Sequence, residues 1–148
     1  MTYHRPFKVI IIPGVPVSKL RPRVTKTGRA YTPAKTRNWE RMAADVISLE
    51  WRGLPVIDRA ITLGVTAIYP RPKSRPKKVS LDQWTMGLRI WRPCRPDLDN
   101  VVKAAMDATE KSGVIVDDSL VVELFGRKLW AGVNDPGPMV IISFVEVT

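Results

Sequence analysis

Two aspartates, Asp97 and Asp99, lie one residue apart in the segment "RPDLDNVVKAAMD". Pro96 favours an extended backbone at Arg95. If that conformation continues through 96–99, both carboxylates point to the same side, with Cα atoms about 6.5 to 7 Å apart. Two bare carboxylates this close repel each other, and a hard divalent cation such as Mg²⁺ or Mn²⁺ removes that repulsion. The spacing therefore predicts a metal site with oxygen ligands.

A lysine extends this candidate site along a helix. The pattern of residues 100–111 predicts a helix, on which Asp99, Lys103 and Asp107 recur at intervals of four and share one face. Lys103 then lies one turn beyond Asp99, where its ammonium group could contact a phosphate. Simpler interpretations stay open: Asp99 or Asn100 caps the helix, or Lys103 and Asp107 form an exposed ion pair worth well under about 1 kcal/mol.

Two more acids follow in the segment "VIVDDSL". Asp117 and Asp118 come directly after an apolar run, where a returning strand could bring them to the first pair. The alternative is that "VDDS" is an ordinary turn, since aspartate and serine are typical turn residues.

The sequence lacks the parts of several other reactions. His4 is the single histidine, so a histidine-based triad or a histidine-rich zinc site has too few ligands. Cys94 is the single cysteine, and we expect it to be a small buried thiol. Neither a phosphate-binding loop nor a dinucleotide fingerprint occurs. The segment "DLDN" lacks the glycine that an EF-hand loop needs.

The charges are segregated along the chain. Its 24 lysines and arginines exceed its 14 acids, for a net charge of +10. Residues 19–37 and 71–95 hold 15 of the 24 cations and one acid, whereas residues 97–123 hold seven of the 14 acids. A mixed, solubilising surface would intersperse the two signs. The distribution favours a polyanionic partner, with nucleic acid first and an anionic membrane surface second.

Both basic segments are rich in proline, which predicts loops or arms rather than helices. Aromatic residues lie among or beside them and could stack on exposed bases, although core positions are the simpler interpretation. These residues are Tyr31, Trp39, Tyr69, Trp84 and Trp91.

Hydrophobic periodicity predicts four strands and two helices. The predicted strands cover residues 7–14, 59–70, 120–131 and 139–147. The first helix follows Thr32, a candidate N-cap, and Pro33, and ends near Gly53. The second covers 100–111 and ends at Gly113, while 71–93 is irregular or holds a short strand at "LRIW". The order β-α-β-α-β-β predicts an α+β fold, in which two main helices pack on a mixed sheet.

The overall class follows from length and composition. We expect 148 residues to form a single domain, 1–148. No apolar run is long enough for a membrane span, and the start of the chain does not match a signal peptide. One cysteine fits a reducing compartment, which predicts a cytoplasmic protein.

The segments "RPDLDNVVKAAMDA" and "GVIVDDSLVVEL" together resemble the RusA family of Holliday-junction resolvases, which are dimeric endonucleases common in prophages. The N-terminal segment "PVSKLRPRVTKTGRAYTPAKTRNWE" and the segment "YPRPKS" match the family as well, so the resemblance spans most of the chain. It implies a homodimer that cuts four-way or branched DNA symmetrically, with Mg²⁺ as cofactor and Mn²⁺ as a substitute, in DNA recombination and repair.

The resemblance also implies a role for each matching residue. Asp97, Asp99 and Asp118 correspond to metal-binding catalytic carboxylates, Lys103 to a catalytic lysine, and Asp117 to a secondary acid. Flanking cations would contact DNA phosphates without reading sequence. Those cations are Lys19, Arg21, Arg23, Lys35, Arg71, Lys73, Arg75, Lys77 and Arg95.

Two other functions compete with this interpretation. A non-catalytic nucleic-acid-binding protein would use the aspartates only as caps and turns, and would bind DNA without regard to metal. A phage structural or interaction protein would present the basic arms to a protein partner. We favour the nuclease, because a passive binder has no need for acids beside phosphates.

Overall fold

The fold is built on a five-stranded mixed sheet with two long helices on one face. A computed structural model describes residues 4–147, with side chains from residue 8. The α+β class and the mixed sheet are confirmed. The sheet strands are β1 (His4–Pro13), β4 (Ile61–Tyr69), β5 (Ile90–Trp91), β6 (Val121–Trp130) and β7 (Met139–Val147). A separate pair is formed by β2 (Arg23–Val24) and β3 (Ala30–Tyr31). The helices are α1 (Ala34–Glu50), α2 (Leu81–Thr85) and α3 (Leu98–Ser112), and a 3-10 turn covers Asp118–Leu120.

The sheet order is β1-β7-β4-β6-β5, with β4 at the centre. Strand β4 is antiparallel to β7 and parallel to β6. The two last long strands are therefore not a hairpin, although only residues 131–138 separate them. They flank β4 on opposite sides, which explains why β4 is buried almost throughout.

The core lies between the sheet and the two long helices, on what we call the helix face. Alternate residues of the strands, such as Leu63 and Phe144, meet side chains of α1 and α3, such as Ile47 and Ala105. The other side of the sheet, the open face, carries no long helix within residues 4–147. These two faces follow from the period of two along each strand.

The acid-bearing helix α3 approaches β6 closely. A Cβ atom at Gly126 would lie 2.6 Å from Cγ2 of Val102, so only glycine lets the helix rest at this distance. Gly113 ends α3 with φ of +77°, as the sequence predicts for a left-handed C-cap.

The helix starts differ from the sequence predictions in a way that matters for the site. Helix α3 begins at Leu98, with Asp97 as its N-cap, so residues 96–99 are not an extended segment and that prediction is wrong. The N-cap of α1 is Pro33, not Thr32, and no side chain caps it.

The segment 71–93 contains more structure than its prolines suggest. Ser80 and Gln83 form a reciprocal capping box at the start of the short helix α2, a signal that the Ser-x-x-Gln spacing carries. The expected strand at "LRIW" is β5, reduced to two residues that pair with β6. Among the helices within residues 4–147, none is long and apolar enough to cross a membrane.

Candidate active site

Asp97 occupies the N-cap of α3 without capping it. Its backbone is extended, with φ of −67° and ψ of 142°, and its side chain accepts no hydrogen bond from the first turn of the helix. An N-cap aspartate normally contributes about 1 kcal/mol by accepting such a bond. This carboxylate is instead exposed and makes no hydrogen bond or ion pair to any other described residue.

Asp99 lies two residues further on, in the first turn of the helix, and is exposed. Its carboxylate also lacks an ion-pair partner within residues 8–147. The positive end of the helix dipole favours two negative groups here. The structure therefore brings Asp97 and Asp99 together at one helix end, through helical rather than extended geometry.

Lys103 lies one turn after Asp99 on the same helix and is exposed. The surface ion pair with Asp107 does not form. Asp107 is held instead by Lys19, with 3.0 Å between Nζ and Oδ2. Lys103 thus presents a cation beside two carboxylates with no acidic partner among the described side chains.

Asp118 approaches α3 further along its length. It lies in the 3-10 turn before β6 and lines a small recess with Met106 and Glu110. From Asp99 to Met106 the helix rises about 10 Å. Asp118 is therefore adjacent to the second half of α3, and sequence reasoning did not assign Glu110 to this region.

Asp117 has a local structural role. The backbone N–H of Ser119 donates to Oδ1 of Asp117 at 2.8 Å and holds the pKa of that carboxyl below its ordinary value. This arrangement matches the turn interpretation of "VDDS" for Asp117, while Asp118 remains exposed.

The three predicted metal ligands do not converge on one point. Among the side chains that the structure describes, no three histidine, cysteine, aspartate or glutamate groups lie close enough to share an ion. The pair at the N-terminus of α3 nevertheless has the chemistry that Mg²⁺ requires, since this ion binds one or two carboxylates and keeps several waters. Asp97 and Asp99 are the residues that could hold it.

Two cations that the sequence analysis did not single out fix the loop before Asp97. The ammonium of Lys128 donates to the carbonyl oxygens of Cys94 at 2.7 Å and Pro96 at 2.6 Å. The guanidinium of Arg92 donates to the carbonyl oxygen of Arg95 at 2.6 Å and stacks on Tyr69. Cys94 itself is exposed, so the prediction of a buried thiol is wrong.

The first basic segment lies against the N-terminus of α3. The backbone N–H of Lys19 donates to the carbonyl oxygen of Asn100 at 2.8 Å. The hydroxyl of buried Thr36 donates to the carbonyl oxygen of Ser18 and accepts from the N–H of Leu20. These contacts fix residues 18–20 against α1 and the first turn of α3, and exposed cations follow directly in this segment.

A buried carboxylate also holds the first basic segment in place through ion pairs. Glu40 is fully buried and accepts from Lys19 at 2.8 Å and from Lys111 at 2.5 Å. Burial alone would raise the pKa of Glu40, but these two ammonium groups hold it below its ordinary value. The ion pairs of Lys19 are therefore internal, and that residue supports the segment rather than presenting a free charge.

The predicted DNA-contacting cations fall into two groups. Arg71 donates to three carbonyl oxygens, and its guanidinium carbon lies 4.1 Å from the ring centroid of Trp84. Arg75 donates to the carbonyl oxygen of Val79 at 2.6 Å. With Lys19, these side chains have structural partners. The exposed cations without a side-chain partner in the described chain are Arg21, Arg23, Lys35, Lys73, Lys77 and Arg95.

The aromatic residues beside the basic segments are also divided. Trp39 and Tyr69 are buried, so the core interpretation is correct for them. Tyr31 and Trp91 are exposed, with Trp91 64% exposed, and remain available for stacking.

Comparison with known proteins identifies the family. A family model described as endodeoxyribonuclease RusA matches residues 13–142. The chain belongs to the RusA family. The resemblance found in the sequence is therefore confirmed, and the RusA match includes every residue assigned to the candidate site and to DNA contact.

Two relatives of this RusA family chain differ in how much they align. The chain is 29% identical over 99 residues to "Crossover junction endodeoxyribonuclease RusA" of Aquifex aeolicus (strain VF5), which covers 67% of the chain and 61% of that protein. The chain thus spans about three fifths of that relative's length. It is also 32% identical over 138 residues to "Uncharacterized protein YqaN" of Bacillus subtilis (strain 168), covering 90% of the chain and 93% of that protein.

Proposed function

We propose that this protein is a metal-dependent, structure-selective endodeoxyribonuclease that resolves Holliday junctions by symmetric hydrolysis of phosphodiester bonds, in DNA recombination and repair. Membership of the RusA family supports the reaction class, and similarity to the Aquifex crossover junction endodeoxyribonuclease supports the junction as substrate. The net charge of +10 supports a polyanionic partner.

One observation in the structure carries the proposal. Asp97 is placed where its carboxylate would ordinarily cap α3, yet it makes no such bond, and Asp99 beside it is equally free of partners within the described residues. Two exposed, unpaired carboxylates forgo local stabilisation and repel each other. Such an arrangement is typical of a site that holds a cation.

We infer the following roles for the chain's own groups. Asp97 and Asp99 would hold Mg²⁺, which when bound supplies activation of water and neutralisation of phosphate charge. Lys103 would contact the scissile phosphate, because its ammonium lies one turn from Asp99 without an acidic partner, and would stabilise the negative charge of the transition state. Asp118 is the third acid that the family resemblance implies, and it lies beside the second half of α3 rather than at the aspartate pair.

The DNA arms would be held by the exposed cations of both basic segments. Arg23 lies in β2, Arg21 lies two residues before it, and Lys35 lies in a recess with Pro96, one residue before Asp97. Contacts to the phosphate backbone confer no sequence readout, so selectivity would come from the shape of the junction. A homodimer would place two such sites on the two-fold junction.

The experiment is a cleavage assay on a labelled four-way junction with Mg²⁺. We expect Asp99→Asn to abolish cleavage while retaining junction binding. The matched control is Asp45→Asn, which neutralises an exposed aspartate in the middle of α1. Cleavage by Asp99→Asn at the wild-type rate would contradict the proposal.

The distance of Asp118 from the aspartate pair favours a second candidate, a non-catalytic DNA-binding protein. That protein would bind the junction in a salt-sensitive way without requiring Mg²⁺, and would leave all strands intact. The same assay separates the two functions, because only the nuclease produces paired nicks.

A further inference from the structure

Lys19 makes three contacts that tie the first basic segment to both long helices. Its backbone N–H donates to the carbonyl oxygen of Asn100, in the first turn of α3, at 2.8 Å. Its ammonium lies 3.0 Å from Oδ2 of Asp107 on the same helix and 2.8 Å from Oε1 of Glu40 on α1. Asn100 and Asp107 are about 10 Å apart along the helix axis, so one residue is attached to α3 at two points.

The contact with Asn100 reaches the part of α3 that carries the aspartate pair. Asn100 follows Asp99 directly, and in an α-helix its carbonyl oxygen also accepts from the N–H four residues later. A carbonyl oxygen has two lone pairs, so the bond from Lys19 is additional to the bond within the helix. The ends of helices tend to fray, and here a donor from outside the helix holds the first turn.

Helix α1 holds the chain on both sides of Lys19. The hydroxyl of buried Thr36 donates to the carbonyl oxygen of Ser18 and accepts from the N–H of Leu20. Thr36 and Glu40 are one turn apart, so one face of α1 binds this short stretch through both its main chain and its side chain. The stretch is therefore a fixed connection between α1 and α3.

The fixed connection ends where the exposed part of the segment begins. Every residue from Leu20 to Tyr31 is exposed, and we call this part, residues 20–31, the hairpin. Its strands β2 and β3 pair with each other and, within residues 4–147, with no other strand. It contains no acid, and its cations are Arg21, Arg23, Lys26 and Arg29.

We propose that Lys19 is a positioning residue, which fixes the first turn of α3, and so Asp97 and Asp99, relative to the cationic hairpin. DNA phosphates held by the hairpin would then meet the aspartate pair at a set distance. This role deepens the proposed function and rests on it, because it concerns how the acids are placed against bound DNA. It differs from the role of a DNA-contacting cation, since the Lys19 ammonium is paired with two carboxylates of this chain.

The charge of Lys19 is essential to the connection, because its ammonium neutralises carboxylates on two different helices. Glu40 is fully buried and has one other cationic partner, Lys111. Asp107 has no second ion-pair partner among the described side chains. Oxygens of Glu40 and Asp107 both lie within 3.0 Å of the same nitrogen, so without it the two carboxylates would repel each other. A neutral residue 19 would therefore weaken the attachment of α3 to α1 and to the segment that leads into the hairpin.

Lys111 provides a matched control within the same ion-pair cluster. Its ammonium also donates to Glu40, at 2.5 Å, but Lys111 lies in the last turn of α3, about 18 Å along the helix from Asp99. Lys19→Met and Lys111→Met each remove one cationic partner from the same buried carboxylate. A role limited to stability predicts similar results for both variants, whereas positioning predicts a difference at the start of α3.

The first experiment measures amide hydrogen exchange without DNA or metal. We expect Lys19→Met to speed exchange at residues 101–104 by at least about tenfold, because the attachment of these turns weakens and they open locally. Lys111→Met should leave exchange there within about threefold of the wild-type rate. Exchange in the buried strand β4 reports global unfolding and serves as the internal reference.

The second experiment measures junction cleavage against Mg²⁺ concentration at saturating DNA. We expect Lys19→Met to raise the Mg²⁺ concentration for half-maximal cleavage about tenfold, because groups that support metal ligands have effects of this size. Junction affinity should stay within about threefold of wild type, since no phosphate contact is lost. Lys19→Arg retains donors for both carboxylates and should restore the Mg²⁺ dependence.

Three results would overturn the positioning role. One is that Lys19→Met and Lys111→Met change exchange and Mg²⁺ dependence equally. Another is that Lys19→Met weakens junction binding as much as Arg21→Ala does and leaves the Mg²⁺ dependence unchanged. The third concerns Asp107→Ala, which leaves Glu40 with both lysines and replaces Lys19→Met if that variant does not fold: an unchanged Mg²⁺ dependence there would reject the role.

These outcomes separate from those of the cleavage assay. Suppose that the wild-type protein leaves junctions intact while Lys19→Met speeds exchange only at the start of α3. That result would reject the nuclease and keep the attachment of α3 through Lys19. A wild-type protein that nicks junctions, with Lys19→Met and Lys111→Met behaving alike, would reject the positioning role and keep the nuclease.

Discussion

The ammonium of Lys128 lies 2.6 Å from the carbonyl oxygen of Pro96, and so a strand of the sheet holds the residue that directly precedes Asp97. The same ammonium reaches the carbonyl oxygen of Cys94. A rigid element thereby positions an aspartate that lies at a loop-to-helix junction, where the backbone would otherwise be free to shift.

Removing this contact should slow cleavage without weakening DNA binding. We expect Lys128→Met to lower kcat by about tenfold to a hundredfold, because small displacements of a positioned group have effects of this size. KM should stay within about twofold. Arg52→Met, which removes an exposed cation just after α1, controls for the lost charge. Equal loss of binding in both variants would mean that Lys128 acts through charge alone.

The free N-cap carboxylate predicts an unusual stability result. Asp97→Ala should lower the free energy of unfolding by less than about 0.5 kcal/mol, below the range of about 0.5 to 2 kcal/mol that is typical of N-caps. Cleavage should nevertheless be lost. Urea denaturation measures the first effect, and the junction assay measures the second. Asp117→Ala is the contrasting variant, because Asp117 does accept from a backbone N–H.

The buried ion pairs of Glu40 predict a dependence of stability on pH. The pKa of Glu40 in the folded chain lies below its ordinary value of 4.5, so its contribution is complete above that pH and is lost as pH falls through the folded pKa. Glu40→Gln should be less stable than wild type by about 1 to 3 kcal/mol at pH 7. The gap should narrow on acidification, which urea denaturation at several pH values would show.

The two groups of cations should respond differently to alanine substitution. Arg21→Ala should reduce the slope of log K against log salt by about one unit and leave the melting temperature unchanged. Arg71→Ala should instead lower the melting temperature, because three carbonyl oxygens lose their donor. A salt slope that changes equally in both variants would contradict the division.

The sequence predicts the elements of the fold better than their arrangement. Strand alternation and helical periodicity locate the four long strands and both long helices, because these patterns are local. The parallel pairing of β4 with β6 has no local signal. Nor does the burial of Glu40, since its two lysine partners lie 21 and 71 residues away in the chain.

The same difference between local sequence signals and tertiary contacts applies to the candidate site. The spacing of Asp97, Asp99 and Lys103 is correct as a cluster at one helix end, but the extended geometry is wrong, because α3 starts at Leu98. The loop contacts of Lys128 could not be foreseen, since a lysine in a strand is ordinarily an exposed cation. The sequence spacing places Asp97, Asp99 and Lys103 near one end of α3, and a tertiary contact from Lys128 holds the loop before them.

Gly126 gives experimental control over the height of α3 above the sheet. An added methyl group would meet Cγ2 of Val102 at 2.6 Å, and a β-branched side chain has little rotamer freedom with which to move aside. Alanine and then serine at residue 126 would lift the helix by increasing amounts. Asp99 and Lys103 would shift with the helix, while their side chains stayed chemically unchanged. Cleavage rates across this series would measure how far these two groups can be displaced before the reaction slows.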